Sequence, residues 1–443
     1  MKQFLYFAIA FAVVCSTFAD EVLTSQSGNN YSADRLIVKL QPQQTMPQSK
    51  LIKRAQHLFA QTYVVYTNNL HELEKVLQKN DSVVYTERDF HSERVTELAR
   101  DVATVRASED AAPFNDPRVG SLWSFADAGD NGISVNKVYQ EKSTKPQKEI
   151  IVAVVDTGVD VNHEDLSNVM WKNPGEIVGN GIDDDNNGYI DDIYGINTLV
   201  RDKDGKATVD ISDTHSHGTH VSGTIAAQQN NGKGVAGIAS KVKIMAIRTV
   251  PNFSDEKDVD VIEAFMYAAK NGAKIINCSF GKSHNEGGNS VAEAIDFIGK
   301  EYGVLVVAAA GNSSQNIDIR PTYPASFTSE NLLVVASTTS WGTMSSFSNY
   351  GKVGVDIAAP GSSILSTVPR NRYSSKSGTS MASPTVAGVA AEVLANNPNL
   401  DPVTLKSVLM TSVTKVSAFS SKIASGGRID LKKALVEAKS LNK

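Results

Sequence analysis

The stretch EIIVAVVD, residues 149–156, decides the fold class of this chain. It is an almost unbroken apolar run of strand length that ends in a carboxylate, Asp156. Similar runs follow at 242–250, 273–280, 303–311, 332–339 and 355–361, separated by helix-length segments at 220–229, 259–272 and 291–303. Strands buried on both faces have this composition, and alternation with helices is typical of parallel sheets. The sequence therefore predicts a doubly wound, mostly parallel α/β sheet flanked by helices.

The composition excludes a basic nucleic-acid or membrane-surface protein. The chain has 443 residues, a formal net charge of -5 and 41% hydrophobic residues. Such a length allows two or three domains, and the negative net charge does not favour binding to nucleic acids or other polyanions. We therefore expect a soluble monomer with no nucleic-acid partner, no membrane span and no organic cofactor.

Residues 1–19 have the pattern of a secretory signal peptide. Lys2 precedes an apolar run that is too short for a stable membrane span, and small residues follow it up to Ala19. We expect cleavage near Asp20 and export to a periplasm or to the medium. Removal of this segment leaves Cys278 as the single cysteine, so no intramolecular disulfide is expected.

Residues 20–91 are predicted to be a separate small α+β unit, preceding the large domain at 113–443. The runs RLIVKL (35–40), TYVVYT (62–67) and SVVYTERDF (82–90) have strand patterns, and LHELEKVLQ (70–78) is an amphipathic helix. The charged, alanine-rich residues 92–112 are expected to be a linker.

Four polar side chains are expected to meet at the carboxyl edge of the large sheet, where ligands of open α/β sheets collect. They are Asp156, Asn312 and, at the starts of two predicted helices, His217 and Ser380. Each has an ordinary explanation alone, such as helix capping by a serine. Together an acid, an imidazole and a hydroxyl form an acyl-transfer triad, and an amide can stabilise the oxyanion.

The nucleophile candidate lies in KSGTSMASPTVAGVAA, residues 376–391. Because proline is tolerated in the first turn of a helix, Pro384 predicts a helix that begins within a few residues of Ser380. Ser383 is expected to cap that helix.

Four blocks resemble, in this order, the signature blocks of the subtilisin family of serine proteases: VVDTGVD (154–160), HGTHVSGT (217–224), AAAGN (308–312) and GTSMASPTVAG (378–388). The resemblance covers about residues 113–443. It implies a triad of Asp156, His217 and Ser380, with Asn312 as the oxyanion donor. It further implies that Ser279, Phe280 and Gly281 pair with the substrate backbone.

The same resemblance implies that Pro324, in TYPAS, lies near the S1 pocket and follows a cis bond. More weakly, the unit at 35–91 resembles the inhibitory propeptide of the family. The chain is thus expected to be a secreted endopeptidase of proteins or peptides, made as a zymogen that processes itself. Its own propeptide would act as inhibitor and folding aid.

A metal is expected in NGIDDDNNGYIDD, residues 180–192. Crowded carboxylates repel one another unless a hard cation gathers them, and oxygen ligands suit Ca²⁺. The start matches an EF-hand loop, but the twelfth position holds Tyr194 instead of glutamate. A solvated acidic turn is the alternative. The candidate ligands are Asp183, Asp185, Asn187, Asp191 and Asp192.

Three other interpretations fit the sequence less well. HSHGTH (215–220) has zinc-like spacing, but without a suitable third ligand we expect His215 and His220 to be packing residues. An α/β-hydrolase would carry G-x-S-x-G and the order Ser, Asp, His, whereas here the serine comes last. A non-enzymatic relative would not need the complete set of four polar residues.

Overall fold

The computed structural model describes residues 23–24, 30–91, 113–203, 205–283 and 288–441. The predicted signal peptide and the predicted linker at 92–112 lie outside these residues. Within them, none of the helices has the length and apolar character needed to cross a membrane.

The N-terminal unit is an antiparallel sheet with one helix. Its central strand, β2, pairs with β4 through residues 35–39 and with β5 at both of its ends. The helix α1 packs on the sheet through Leu70, Leu73 and Leu77, which recur at helical spacing. The strands are β1 (Leu23–Thr24), β2 (Asn30–Leu40), β3 (Arg54–Phe59), β4 (Thr62–Tyr66) and β5 (Val83–His91), and α1 is Leu70–Leu77.

The predicted fold class is confirmed, because a large sheet with a parallel centre fills the second unit. The strands of this sheet are β6 (Ile150–Asp156), β7 (Asn197–Arg201), β8 (Ala207–Thr208), β9 (Val242–Arg248), β10 (Ile275–Cys278), β11 (Leu305–Ala309), β12 (Leu332–Thr338), β13 (Ile357–Pro360), β16 (Val413–Lys415) and β17 (Gly427–Ile429). Their order is β16-β17-β13-β12-β11-β10-β6-β9-β7-β8, and only the pairs at the two ends are antiparallel. A separate hairpin is formed by β14 (Ile364–Val368) and β15 (Arg372–Lys376).

Helices cover both faces of the large sheet. They are α2 (Val135–Gln140), α3 (His217–Ala226), α4 (Asp258–Lys270), α5 (Ser290–Tyr302), α6 (Thr379–Asn396), α7 (Pro402–Thr411) and α8 (Leu431–Ser440). Alternate residues of β6 enter opposite cores: Val152 and Val154 pack with α3 and α6, whereas Ala153 and Val155 pack with α4 and α5. This burial on both faces explains why the central strands are apolar throughout.

Candidate active site

Asp156 and His217 lie in direct contact at the carboxyl edge of the sheet. Asp156 is the last residue of β6 and is 1% exposed, and its Oδ1 lies 2.8 Å from Nδ1 of His217. The same oxygen accepts a hydrogen bond from the Thr157 amide at 2.7 Å. The carboxylate therefore fixes the orientation of the imidazole, which begins α3.

The turn before His217 is held by Asp213, a residue that the sequence analysis missed. Its carboxylate accepts the amides of His215, Ser216 and Thr219 at 2.7–3.0 Å. Ser216 has φ 78°, a left-handed conformation that is uncommon for serine. Asp213 lies four residues before α3 and outside its N-cap position, Ser216, so a local capping pattern does not reveal this role.

Ser380 is the second residue of α6, as the position of Pro384 predicted within a few residues. Its hydroxyl donates to the Ser279 carbonyl at 3.0 Å, and the Ser279 hydroxyl donates to the Ser380 carbonyl at 2.9 Å. Pro384 lies in the second turn of the helix, deeper than the first turn expected. Lacking an N–H, it cannot bond the carbonyl four residues earlier, which belongs to Ser380. Ser279 supplies that missing donor.

The expected capping role of Ser383 is wrong. Its hydroxyl is buried and contacts Asn277 Oδ1 at 2.9 Å and the Val307 carbonyl at 3.1 Å, so it ties α6 to two strands. The N-cap position of α6 is Gly378, which has no side chain to cap with. Asn277 in turn donates to the Ser279 hydroxyl at 2.8 Å. The small residues around Ser380 therefore serve a hydrogen-bonded network that reaches β10.

Asn312 follows β11 and faces the start of α6. Its side-chain oxygen accepts the Thr379 amide at 2.8 Å and the Thr379 hydroxyl at 2.9 Å. These two bonds assign the side-chain oxygen of Asn312 to Thr379, the residue that directly precedes Ser380.

The segment Ser279–Gly281 follows β10 and leads to the residue pair Lys282 and Tyr323, which exchange main-chain hydrogen bonds at 2.8–2.9 Å. Ser279 and Phe280 are 1% and 5% exposed, so their side chains point into the protein. A Cβ at Gly281 would lie 2.9 Å from the Tyr323 carbonyl, which explains the glycine. The Tyr323–Pro324 bond is cis, as expected.

The acidic loop gathers only part of the predicted ligand set. Asp183, Asp185 and Glu176 each place one oxygen within 4.8 Å of the others, and the sequence analysis missed Glu176. Asp191 instead accepts the main-chain amides of residues 179–181, at 2.7–3.2 Å. Asp192 accepts hydrogen bonds from the Asn187 amide group and from the Tyr267 hydroxyl.

The three histidines of HSHGTH do not share a common point. His220 is fully buried and its Nε2 contacts the Ile364 carbonyl at 2.9 Å, and burial lowers its pKa to about 3. His217 faces Asp156 instead, and the centre of its ring lies 6.2 Å from that of His215. Hydrogen-bonded packing therefore accounts for His220.

The N-terminal unit packs on the starts of α4 and α5. Glu87 of β5 accepts the amides of Asn289 and Ser290 at 3.0 and 3.2 Å, and Asp89 accepts the Val259 amide at 3.0 Å. Each carboxylate thus satisfies main-chain donors at a helix N-terminus and opposes its positive dipole end. Burial and the charge of Asp258 raise the pKa of Glu87 to about 7.

Charged pairs extend this interface. Arg35 lies 2.7 Å from Asp89 and 3.0 Å from Asp260 of α4, which also pairs with Arg201. At the end of β5, the Lys282 ammonium donates to the Phe90 carbonyl at 3.0 Å. The last described strand of the N-terminal unit therefore ends beside the residue that follows Gly281.

Comparison with known proteins places this chain in a family. A model of the subtilase family matches residues 147–427. Thermitase of Thermoactinomyces vulgaris is 36% identical over 284 residues, which cover 64% of this chain and 88% of thermitase. Subtilisin-like protease 1 of Plasmodium berghei (strain Anka) is 34% identical over 347 residues, which cover 73% of this chain and 55% of that protein. The chain thus spans about half the length of the Plasmodium berghei relative.

Two solved structures share the fold. A protease from Pseudoalteromonas arctica PAMC 21717 has a TM-score of 0.59 and 26% identity, and the match covers 74% of this chain and 100% of that one. Fervidolysin of Fervidobacterium pennivorans has a TM-score of 0.69 at 24% identity, over 93% of this chain and 62% of that one. This second likeness shows the fold alone. With the family match over residues 147–427, these findings establish that the chain belongs to the subtilase family of serine endopeptidases.

Proposed function

We propose that this protein is a secreted serine endopeptidase, made as a zymogen, with Asp156, His217 and Ser380 as its triad. The observation that carries the proposal is the 2.8 Å contact between His217 and the buried Asp156, in a chain whose candidate nucleophile, Ser380, lies at the start of a helix that packs on α3. A partly exposed imidazole held by a buried carboxylate is the arrangement that activates a serine for acyl transfer.

In this mechanism the Ser380 hydroxyl turns from the Ser279 carbonyl toward His217, which takes its proton as the oxygen attacks the peptide carbonyl. Asp156 keeps the imidazole in the required tautomer and stabilises its protonated form. The NH₂ group of Asn312 donates to the oxyanion of the tetrahedral intermediate. His217 then protonates the leaving amine. It next takes a proton from the water that attacks the acyl-enzyme and returns this proton to the Ser380 oxygen as the ester bond breaks.

The substrate is proposed to bind as an added strand along Ser279–Gly281. Because the side chains of Ser279 and Phe280 are buried, recognition there would use main-chain groups. Such a site accepts extended peptides of many sequences, so side-chain selection must come from neighbouring pockets.

The N-terminal unit, residues 20–91, is proposed to be the propeptide that inhibits the enzyme and assists its folding. Three contacts support this: its acids Glu87 and Asp89 accept amides at the starts of α5 and α4, and its Phe90 carbonyl meets Lys282 beside the proposed substrate-binding segment. Self-cleavage between the two units would release the inhibitor. N-terminal sequencing of the secreted product locates the cleavage site.

The acidic loop is proposed to hold one structural Ca²⁺ through Glu176, Asp183 and Asp185. Calcium takes oxygen ligands at 2.3–2.6 Å, so oxygens within 4.8 Å of one another fit around one ion. Burial, and to a smaller extent the nearby charge of Asp192, raise the pKa of Glu176.

Two assays test the proposed function. The purified protein should digest a denatured protein substrate, and a serine-directed inhibitor should abolish the digestion. In addition, Ser380→Ala should accumulate as an uncleaved precursor when expressed alone. Normal maturation of that variant in a protease-deficient host would contradict self-processing.

A further inference from the structure

The residues that directly follow Asp156 and His217 are hydrogen-bonded to each other. The Gly218 amide donates to the Thr157 hydroxyl at 3.1 Å, and both residues are buried. The two segments also approach closely, since an added Cβ at Gly218 would lie 2.1 Å from the Gly158 carbonyl oxygen. One side-chain hydroxyl therefore joins the end of β6 to the start of α3, next to the contact between the carboxylate and the imidazole.

A buried carboxylate fixes the direction of that hydroxyl. Thr157 donates its hydroxyl hydrogen to Asp213 Oδ1 at 3.0 Å, and Asp213 is 8% exposed. Because a carboxylate only accepts hydrogen bonds, the hydroxyl hydrogen points to Asp213 and a lone pair of the oxygen is left for the Gly218 amide. The same carboxylate oxygen accepts the Ser216 amide at 2.7 Å. Asp213 thus holds the main chain before the histidine, and Thr157 holds the main chain after it.

Thr157 also contacts the proposed catalytic carboxylate directly. Its amide donates to Asp156 Oδ1 at 2.7 Å, and the same oxygen lies 2.8 Å from His217 Nδ1. Thr157 therefore binds Asp156 through its main chain and the turn that carries His217 through its side chain. Because a hydrogen bond weakens steeply as it becomes misaligned, a shift of this turn would weaken the contact on which the activation of the serine depends.

We propose that Thr157, oriented by Asp213, is a positioning residue that sets the geometry between Asp156 and His217. It acts through these two members of the proposed triad, so loss of its hydroxyl should slow the chemical steps and change KM little. The inference rests on the proposed function and adds to it a residue that supports the acid and the base together.

Thr157→Val and Thr157→Ser test this role, because valine has nearly the same shape without the hydroxyl, whereas serine keeps it. We expect kcat to fall about 10- to 100-fold in Thr157→Val, with KM within about twofold of the wild type. In Thr157→Ser, kcat should stay within about threefold of the wild type. Thr224→Val is the matched control and should keep the wild-type kcat. It removes a buried hydroxyl of α3 that donates within the helix to the His220 carbonyl at 3.1 Å.

Proton NMR separates positioning from loss of folding. In an inactive Ser380→Ala protein, the His217 Nδ1–H proton should give a low-field resonance, because it lies in a 2.8 Å hydrogen bond to a carboxylate. The absence of this resonance from His217→Ala assigns it. Addition of Thr157→Val should move the resonance upfield or broaden it beyond detection at the same pH, whereas addition of Thr157→Ser should preserve it.

Thr157→Ala is a second variant without the hydroxyl, so the test does not depend on the folding of one variant. The inference is overturned if the hydroxyl-free variants keep the wild-type kcat and the low-field resonance, or if their loss is confined to KM. It is also overturned if Thr157→Ser loses as much kcat as Thr157→Val. Failure of the wild type to cleave any peptide or denatured protein would instead overturn the proposed function, and this inference with it.

Discussion

Ser279 and Ser380 hold each other through two hydrogen bonds, in which each hydroxyl donates to the carbonyl of the other residue, at 2.9 and 3.0 Å. The bond to the Ser380 carbonyl replaces the helical bond that Pro384 cannot make. The position of the proposed nucleophile therefore depends on a residue of the substrate strand.

Ser279→Ala should lower kcat about tenfold and reduce the free energy of unfolding by about 1–2 kcal/mol, because the Ser380 carbonyl loses its donor. Pro384→Ala restores an N–H at the right position in α6. The double variant should therefore lose less activity than the two single variants predict together. Strict additivity in steady-state kinetics would show that the two residues do not act on a shared carbonyl.

Asn312→Ala should lower kcat with little change in KM, because its amide acts mainly when the oxyanion forms. In subtilisin itself, loss of the corresponding donor costs about 10²–10³ in kcat, and we expect a similar loss here. Asn312→Asp is a nearly isosteric comparison that keeps the acceptor for Thr379 but removes the NH₂ group. An effect confined to KM in both variants would exclude Asn312 from oxyanion stabilisation.

Much of the fold could be predicted because the central strands are buried on both faces and are thus apolar without interruption. Strand β3 (Arg54–Phe59) was missed, since its first four residues are half-buried or exposed and only Leu58 and Phe59 are buried. The hairpin strand β15 was missed for a related reason: RYSSK is almost entirely polar and partly exposed. Such strands are stabilised by pairing with a neighbouring strand, and a local sequence pattern does not reveal that pairing.

The four candidate catalytic residues could be proposed from the sequence because each stands at a strand or helix end. Their supports could not, since Asp213, Ser279 and Pro384 act through contacts made only in the folded chain. Glu176 was missed among the candidate metal ligands because it lies seven residues before Asp183, outside the repeating acidic pattern.

Removal of calcium should lower the melting temperature of an inactive Ser380→Ala protein. A bound ion stabilises the native state by about 2.7 kcal/mol at a hundredfold excess over Kd, and EGTA removes that contribution. Asp185→Ala and Glu176→Gln should each lower stability and abolish the response to calcium. Asp184→Asn is the matched control, because Asp184 lies in the same loop but outside the cluster, and it should retain the response. If the melting curve is unchanged in EGTA and elemental analysis finds no calcium, the loop is a solvated acidic turn that holds no metal.

The affinity of the N-terminal unit for the mature enzyme should fall as the pH rises from about 4.5 to 7. The pKa of Glu87 is about 7 in the complex against an ordinary value of 4.5, so the free unit ionises first and its release becomes more favourable through this window. Above pH 7 the affinity has fallen by its full amount, and below pH 4.5 Glu87 is protonated both in the complex and in the free unit.

Inhibition titrations between pH 4.5 and 8 measure this effect. Glu87→Gln should remove a pH-dependent change in affinity of up to about 300-fold across the window, whereas Glu72→Gln on the exposed start of α1 should leave that change in place. His91 titrates nearby and its pKa is lowered by burial, which opposes the trend below its ordinary value. Because His91 is present in all three proteins, the difference between their slopes isolates Glu87. Identical slopes would contradict this role.

His217 is proposed to activate Ser380 as a nucleophile. Treatment of the mature enzyme with a fluorophosphonate, followed by mass spectrometry to locate the label, tests this directly. We expect one label, on Ser380, formed at a rate that falls steeply in His217→Ala, and none in a Ser380→Ala protein that has been freed of its N-terminal unit by an added protease. A label on another residue of the active wild type, or equal labelling rates with and without His217, would contradict it.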